Sequence, residues 1–146
     1  MNVAAILKGK GGAITTARSD ARVAAVAGLL AQHRIGAIVI VGPAGQVEGI
    51  VSERDIVKAI ATRGSMCLEE TADAIMTRHV TTCEPSEPLD QLMSTMTAGR
   101  FRHVPVVEGG KLVGIVSIGD AVKHHIAEVE LEAHALKNYV LAGQGG

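Results

Sequence analysis

The chain has 146 residues, a net charge of −1 and a sequence pI of about 6.6. A charge this close to zero creates no global field that would favour nucleic acid or an anionic membrane, and aromatic residues, at 1%, provide no platform for stacking bases. Hydrophobic residues make up 47% of the chain, so its core must be built from Val, Ile, Leu, Ala and Met in strands and helices.

The two cysteines and the absence of long apolar runs indicate where the protein works. Cys67 and Cys83 lack CxxC spacing and have no histidine at zinc-ligand spacing, which is typical of reduced thiols in a cytosolic protein. No apolar run approaches the ~18 residues of a membrane span, and the apolar part of the N-terminus is too short for a signal peptide. We therefore expect a soluble, cytoplasmic protein.

The first half of the chain shows one predicted helix between short strands. A Thr-Thr pair and a polar segment precede a helix whose apolar residues follow i, i+3, i+4, i+7 spacing: Val23, Val26, Ala27 and Leu30. IGAIVIV (35–41) predicts a strand that is too uniformly apolar to be solvated on one face. A Gly-rich turn leads to a second strand, VEGIVS (47–52), and a closing helix begins at Ser52.

The second half repeats this order. Residues 15–58 align with residues 81–123 with one single-residue gap, and GIVSERD (49–55) matches GIVSIGD (114–120). The second helix carries the same apolar spacing in Leu89, Leu92, Met93 and Met96. The sequence therefore predicts a duplicated unit, each copy folding as β-α-β-β-α and the two packing as one α/β (α+β) module.

The predicted boundaries follow from the repeat. Residues 1–65 form the first copy, residues 66–130 the second, and residues 131–146 a helical extension with a flexible tail that begins at Ala142. The final helix is predicted over residues 121–141. One apolar stripe along it contains Ile126, Val129, Leu136 and Val140.

The Ser-x-x-Asp within the repeated motif has two interpretations. A Ser at the N-cap with an acidic residue at N3 resembles a capping box, which satisfies backbone N–H groups and opposes the helix dipole. A strand-to-helix junction is also a common place for phosphorylated ligands, because the positive helix terminus and the carboxyl ends of strands meet there. A Gly shortly before each Ser leaves room beside the backbone, and the same groups are presented twice.

The paired motifs, each preceded by an apolar strand such as RHVPVV (102–107), resemble a tandem of cystathionine-β-synthase-type (CBS) domains, also called a Bateman module. The resemblance covers residues 1 to about 130. It implies a regulatory, non-catalytic module with no catalytic cofactor, which binds adenosine-containing ligands (AMP, ADP, ATP, NAD or S-adenosylmethionine) in clefts between its halves. The target that such a module would regulate is not identified by the sequence.

The resemblance also implies roles for individual residues. The Asp of each motif holds the ribose hydroxyls and the Ser lies near the phosphate, while a Thr that opens one half joins the Asp of the other. Thr77 matches that Thr, but its counterpart in the repeat is Gly11. The fuller predicted site therefore comprises Ser52, Arg54, Asp55, Thr77, Arg102 and His103, where the cations would bind phosphate.

A second, pseudo-symmetric site is predicted to be weaker because it has fewer cations. It comprises Gly36, Ala37, Ser117 and Asp120. Ile14 and Val80 stand at matching strand starts, and both are candidates for apolar contact with adenine.

Two other classes of protein remain alternatives. An enzyme is one, because the chain has six histidines and Cys83 as a candidate nucleophile, but no catalytic spacing is readable. His124 and Glu128 lie one helical turn apart and could suggest a metal, although a solvated helix face explains them better. The other alternative is an interaction module with the same fold and empty clefts.

Assembly is the last expectation. The first helix of each half, at residues 23–31 and 89–96, is apolar nearly all round, and the final helix adds its own stripe. Such surfaces exceed what a monomer normally exposes. The resemblance implies pairing through these helices, so we expect a homodimer with two-fold symmetry and an interface that includes Leu30 and Leu92.

Overall fold

The computed structural model describes residues 1–144. Its elements in chain order are α1 (Val3–Lys10), β1 (Thr16–Ala17), α2 (Val23–His33), β2 (Ala37–Val41), β3 (Val47–Ser52), α3 (Glu53–Arg63), a 3-10 helix (Ser65–Glu69), α4 (Ala72–Ile75), α5 (Leu89–Gly99), β4 (His103–Glu108), β5 (Lys111–Ser117) and α6 (Ile118–Gln144). The predicted flexible tail is wrong for Ala142–Gln144, which continue α6, and the prediction for residues 145–146 lies outside the described residues.

Each half forms an antiparallel hairpin that opens at the Ser of its repeated motif. Ala37 pairs with Ser52 between β2 and β3, and β1 lies parallel to β2 on the other side. His103 pairs with Ser117 between β4 and β5. The mixed helix and strand fold with two matching halves is therefore confirmed.

The two halves differ at their first strand. In the second half the strand is reduced to a single bridge in which the Cys83 N–H donates to Pro105 O at 3.0 Å and the Val107 N–H donates to Cys83 O at 2.8 Å. Pro85 follows two residues later and has no N–H with which to extend the pairing.

The core consists of one apolar cluster in each half. The first contains Val23, Val26, Leu30, Ile38, Ile40, Val51, Ile56, Ala72 and Met76, and the second contains Val3, Ile6, Cys83, Leu89, Leu92, Met96, Val104, Val106, Val116 and Ala121. Helix α1 therefore packs on the second half although it precedes the first half in sequence. The boundary at residue 65 stays a prediction.

The interface positions expected on α2 and α5 are wrong. Leu30 is 5% exposed and Leu92 is 0% exposed, because both helices turn their apolar residues into the cores of their own halves. Most of the large apolar side chains that remain exposed lie instead on α3, where Val57 and Ile60 face solvent, and along α6; Met1, Met66, Phe101 and Val113 are exposed elsewhere.

Candidate functional site

A cleft between the two halves brings together all six residues of the fuller predicted site. Its volume is about 370 Å³, within the range of small-molecule pockets. The lining consists of Gly36, Ile50, Ser52, Glu53, Arg54, Asp55, Thr77, Arg100, Phe101, Arg102 and His103. We call this the first cleft.

The first cleft differs from other cavities of its size by its cations. Two further cavities, of about 360 and 370 Å³, lie around Glu84 and Ser86, and no Lys, Arg or His lines either of them. In the first cleft, Arg54, Arg100 and Arg102 form no ion pair with any of the described residues. Three unpaired guanidinium groups at one opening favour an anionic ligand.

Ser52 and Asp55 form the capping box that their spacing indicates, and the box uses only one of the two carboxylate oxygens of Asp55. Asp55 N–H donates to Ser52 Oγ at 3.2 Å, while Ser52 N–H and Oγ donate to Asp55 Oδ2 at 2.8 and 3.0 Å. Among the described residues no group donates to Asp55 Oδ1. The capping and ligand-binding interpretations are therefore compatible, because the cap uses one carboxylate oxygen and the other remains for a ligand hydroxyl.

Thr77 joins the first cleft through the backbone. It exchanges two hydrogen bonds with Ile50, at 2.9 and 3.0 Å, so the opening of the second half pairs with β3 of the first. Gly49 permits this approach, since a Cβ there would lie 2.9 Å from Thr77 O and 2.6 Å from Met76 Sδ.

His103 stands at the start of β4 on the wall of the first cleft. Burial lowers the pKa of His103 below its usual value, even though the Glu53 carboxylate acts in the opposite direction. Gly36 makes room for the ring, because a Cβ at Gly36 would lie 3.1 Å from His103 Cε1. The imidazole is therefore held neutral near neutral pH, and a nearby anion would favour its protonation.

Several predicted placements need correction. Gly36 lines the first cleft and not the second, which is the cavity beside α1 and β5, because the Gly36 carbonyl accepts the Glu53 N–H at the start of α3. Ala37 is 4% exposed and pairs with Ser52 inside the hairpin, so it lines neither cavity. Val80 is half-buried but does not line the first cleft, whereas Ile14 does line the cavity of the second.

The second cleft is small, and the predicted Ser117 and Asp120 do not line it, although Lys10 of its lining contacts Asp120. The cavity, of about 40 Å³, is lined by residues of α1, of the loop that follows it and of β5. Lys10 Nζ donates to Asp120 Oδ2 at 2.7 Å and to Ile115 O at 2.8 Å. The Ser117 N–H donates to the same oxygen of Asp120 at 2.9 Å, and the Asp120 N–H donates to Ser117 Oγ at 3.1 Å. A lysine of the chain itself thus occupies the carboxylate that the resemblance assigns to a ribose.

The electrostatics of Asp120 reflect that contact. Burial alone would raise the pKa of Asp120, but the hydrogen bonds from Lys10 and from Ser117 outweigh it, and the pKa lies below its usual value. In the repeat, the position of Lys10 corresponds to Met76, which packs beside Gly49 at the first cleft. The two clefts therefore differ at one equivalent position by a cation.

Sequence reasoning missed Ile50, Glu53 and Phe101 in the first cleft, and Lys10 in the second. Arg100, which the sequence places with Arg54, Arg102 and His103 near the predicted cleft, does line it. It matches Arg34 in the repeat, and both end their helices in the left-handed conformation, with φ of 57° and 54°.

The alternative site residues carry little chemistry. Burial, together with the nearby Glu87 carboxylate, raises the pKa of the Cys83 thiol to about 12, so the thiolate needed for nucleophilic attack is scarce. Within residues 1–144 no group of three or more His, Cys, Asp or Glu side chains is arranged to hold a metal ion. No helix in this range has both the length and the apolar character required to cross a membrane.

Comparison with known proteins agrees with the geometry. The model of the CBS domain family matches residues 13–62 and 72–126. The chain belongs to the CBS domain family and contains two CBS repeats that form a CBS pair.

Solved structures share this fold over most of the chain. A CBS-domain containing protein from Agrobacterium tumefaciens is 45% identical with a TM-score of 0.81, over 86% of this chain and 99% of that one. The CBS domain pair of protein MJ0100, in complex with 5-methylthioadenosine and S-adenosyl-L-methionine, is 31% identical with a TM-score of 0.78, over 88% and 98%. A CBS domain protein from Pyrobaculum aerophilum complexed with AMP is 29% identical with a TM-score of 0.74, over 82% and 89%.

A curated relative is longer than this chain. The mitochondrial CBS domain-containing protein CBSX3 of Arabidopsis thaliana is 34% identical over 118 residues, which are 78% of this chain and 57% of the relative. The chain thus spans little more than half of that relative's length.

Proposed function

We propose that the chain is a regulatory module that binds a phosphorylated adenosine ligand, such as AMP, ADP, ATP or NAD, in the first cleft. The observation that carries the proposal is that one cavity of about 370 Å³ combines three arginine side chains and an Asp55 oxygen, none of which is bound by another group within residues 1–144. Two solved CBS pairs of the same fold hold AMP or S-adenosyl-L-methionine, which supports an adenosine ligand here.

Each part of such a ligand has a suitable partner. Asp55 Oδ1 can accept a hydrogen bond from a ribose hydroxyl, and charge-assisted bonds of this kind contribute about 1.5–3 kcal/mol. The phosphate fits the arginines together with the N-terminus of α3, which begins directly after Ser52. Ile50 and Phe101 supply apolar surface for the base. The guanidinium groups favour a phosphate over the sulfonium of S-adenosylmethionine, which carries a positive charge.

Calorimetry with AMP, ATP, NAD, S-adenosylmethionine and GMP tests the proposal. We expect heat and a raised melting temperature with the phosphorylated adenine ligands. The free energy of unfolding should rise by about 2.7 kcal/mol at a ligand concentration one hundred times the dissociation constant. A null result for all of them at millimolar concentration would instead identify an interaction module with empty clefts. We propose no catalytic step, and nucleotide recovered unchanged after incubation is the expected result.

We further propose that the chain is a homodimer and works in the cytoplasm. Val57 and Ile60 on α3 are 65% and 42% exposed, and the apolar residues of α6 are also exposed, so a second copy would remove these surfaces from water. Light scattering tests the assembly, because a monomer has a mass of 15.1 kDa and a dimer about twice that.

Two free cysteines and an adenine ligand suit a reducing, nucleotide-rich compartment, and cell fractionation tests that location.

A further inference from the structure

We propose that the C-terminal part of α6 pairs with the same helix of a second chain as a parallel two-stranded coiled coil. This inference rests on the homodimer proposed above and specifies which surface pairs and in which direction.

The end of α6 has no support from its own subunit. Every residue from Val129 to Gly143 is exposed, although the backbone is helical throughout. An isolated helix of this length is marginal in water, because its stability in proteins comes mainly from packing of an apolar face. The segment therefore requires a partner, and none of the described residues of its own chain covers it.

Six apolar residues of α6 follow a heptad repeat, while the exposed Leu131, Tyr139 and Leu141 lie on other sides of the helix. Spacings of four and three alternate through six positions, which we call the α6 seam: Val122, Ile126, Val129, Ala133, Leu136 and Val140. The five large side chains among them are 41–64% exposed. Alternation of this kind places the residues on one stripe of the helix, as in a coiled coil.

The α6 seam points away from the subunit. Ala121 is fully buried in the core of the second half, and the His124 ring lies beside Gly9 of α1. Glu128 is half-buried on the same face, one turn further along. With 3.6 residues per turn, His124 and Glu128 lie on the side of the helix away from the seam and Ala121 lies on the flank between them and the seam, so one face packs on the subunit and the seam is free.

The charges beside the seam favour a parallel pair. When Ile126, Ala133 and Val140 take position a, Val122, Val129 and Leu136 take position d. Ile126 and Val140 at a with Leu136 at d follow the pattern of two parallel strands, whereas the valines at d do not, so the direction rests on the flanking charges. In this arrangement each residue at g lies beside the partner's residue at e in the following heptad. Glu132 then meets Lys137 and His125 meets Glu130, so neither contact joins like charges.

The antiparallel arrangements fit less well. One register places Glu130 opposite Glu130 and Glu132 opposite Glu132 of the other copy, which is repulsive. The next register, with Ala133 beside Leu136, pairs Glu130 with Lys137 but sets Val122 level with a position past Gln144, outside the described helix. The register with Ile126 beside Val129 pairs Lys123 with Glu130 but sets Leu136 beside Gly119, so the end of the seam stays uncovered. None of the three combines favourable charges with the full length of the α6 seam.

Oxidative cross-linking of the full chain tests the pairing and its direction. In a parallel pair the two copies of position 136 face each other, so Leu136→Cys should form a covalent dimer. Leu131→Cys, on the outer face of the same helix, should not, and the wild-type chain with its two buried cysteines is the background control. If Leu136→Cys and Ala133→Cys chains cross-link when mixed but neither variant cross-links alone, the pair is antiparallel and the proposed direction is overturned.

Sedimentation of charge and seam variants provides an independent readout. Leu136→Asp should raise the dissociation constant of the dimer roughly a hundredfold, from the lost apolar burial and the buried charge, while Leu131→Asp leaves it unchanged. Lys137→Glu should weaken the dimer, and adding Glu132→Lys should restore it. A dimer that persists in Leu136→Asp and does not cross-link at position 136 overturns the coiled coil but keeps the homodimer. A monomeric wild type overturns both.

Discussion

Replacement of Lys10 by methionine should open the second cleft to ligand. Methionine is the matched change because the repeat places Met76 at the equivalent position of the first half. In the wild type, Lys10 Nζ lies 2.7 Å from Asp120 Oδ2, and the two side chains are 35% and 24% exposed. A charge-assisted contact at such a partly exposed site contributes about 1 kcal/mol. A ribose that must displace it therefore binds at least roughly fivefold more weakly than it would to a free carboxylate.

Calorimetric titration with AMP measures this effect. We expect one binding event per wild-type chain at the first cleft, with a second event weak or undetected at millimolar AMP. In Lys10→Met the second event should strengthen at least roughly fivefold. Lys8→Met is the control, since Lys8 lies on the same helix, is exposed and forms no ion pair with the described residues. The reasoning is refuted if wild type and Lys10→Met titrate identically, or if the gain persists when Asp120→Ala is added.

The same variant should change the acid stability of the chain. Because the pKa of Asp120 is lowered in the folded state, its contribution to stability is present above the unfolded pKa and is lost as pH falls through the folded pKa. Removing Lys10 should shrink this loss, so urea unfolding of Lys10→Met should depend less on pH below about pH 4 than that of the wild type.

Four further predictions concern the first cleft and the core. Asp55→Ala should weaken AMP and adenosine alike, by roughly ten- to a hundredfold in calorimetry, because it removes the ribose acceptor; an unchanged affinity would show that Asp55 serves only as the cap. Arg102→Ala should weaken AMP by a similar factor but leave adenosine nearly unchanged, and an equal loss for both ligands would contradict its role at the phosphate. The lowered pKa of His103 leaves the ring neutral in the free protein, so binding of a phosphate should be accompanied by uptake of a proton. The affinity should therefore rise as pH falls from about 8 to about 6. Calorimetry in buffers of different ionisation enthalpy would detect that proton or its absence. Leu92→Ala should lower the free energy of unfolding by about 2–5 kcal/mol without changing the mass of the folded assembly, because Leu92 is fully buried in its own subunit; a stable variant with a lower mass would place it at the interface after all.

Much of the local structure was predictable because it depends on neighbours in sequence. The geometry of Ser52 and Asp55 follows from their spacing of three, which brings the Ser hydroxyl to the N–H of the third helical residue. The helices and hairpins follow from apolar periodicity and turn residues. The resemblance to CBS domains then placed Thr77, Arg102 and His103 near the first motif, and the structure brings them to the same cleft.

Contacts between distant segments were decided only by the tertiary structure. Helix α1 packs on the second half, which carries Lys10 to Asp120 across 110 positions of the chain, and no local pattern encodes that meeting. The burial of Leu30 and Leu92 likewise depends on which face of each helix turns toward its hairpin, which an almost uniformly apolar helix does not reveal. The sequence by itself thus determined the two repeated units and the chemistry that each motif presents. The packing of those units determined which motif is open to a ligand and which one a lysine already occupies, because side-chain contacts between remote segments depend on the relative positions of whole elements.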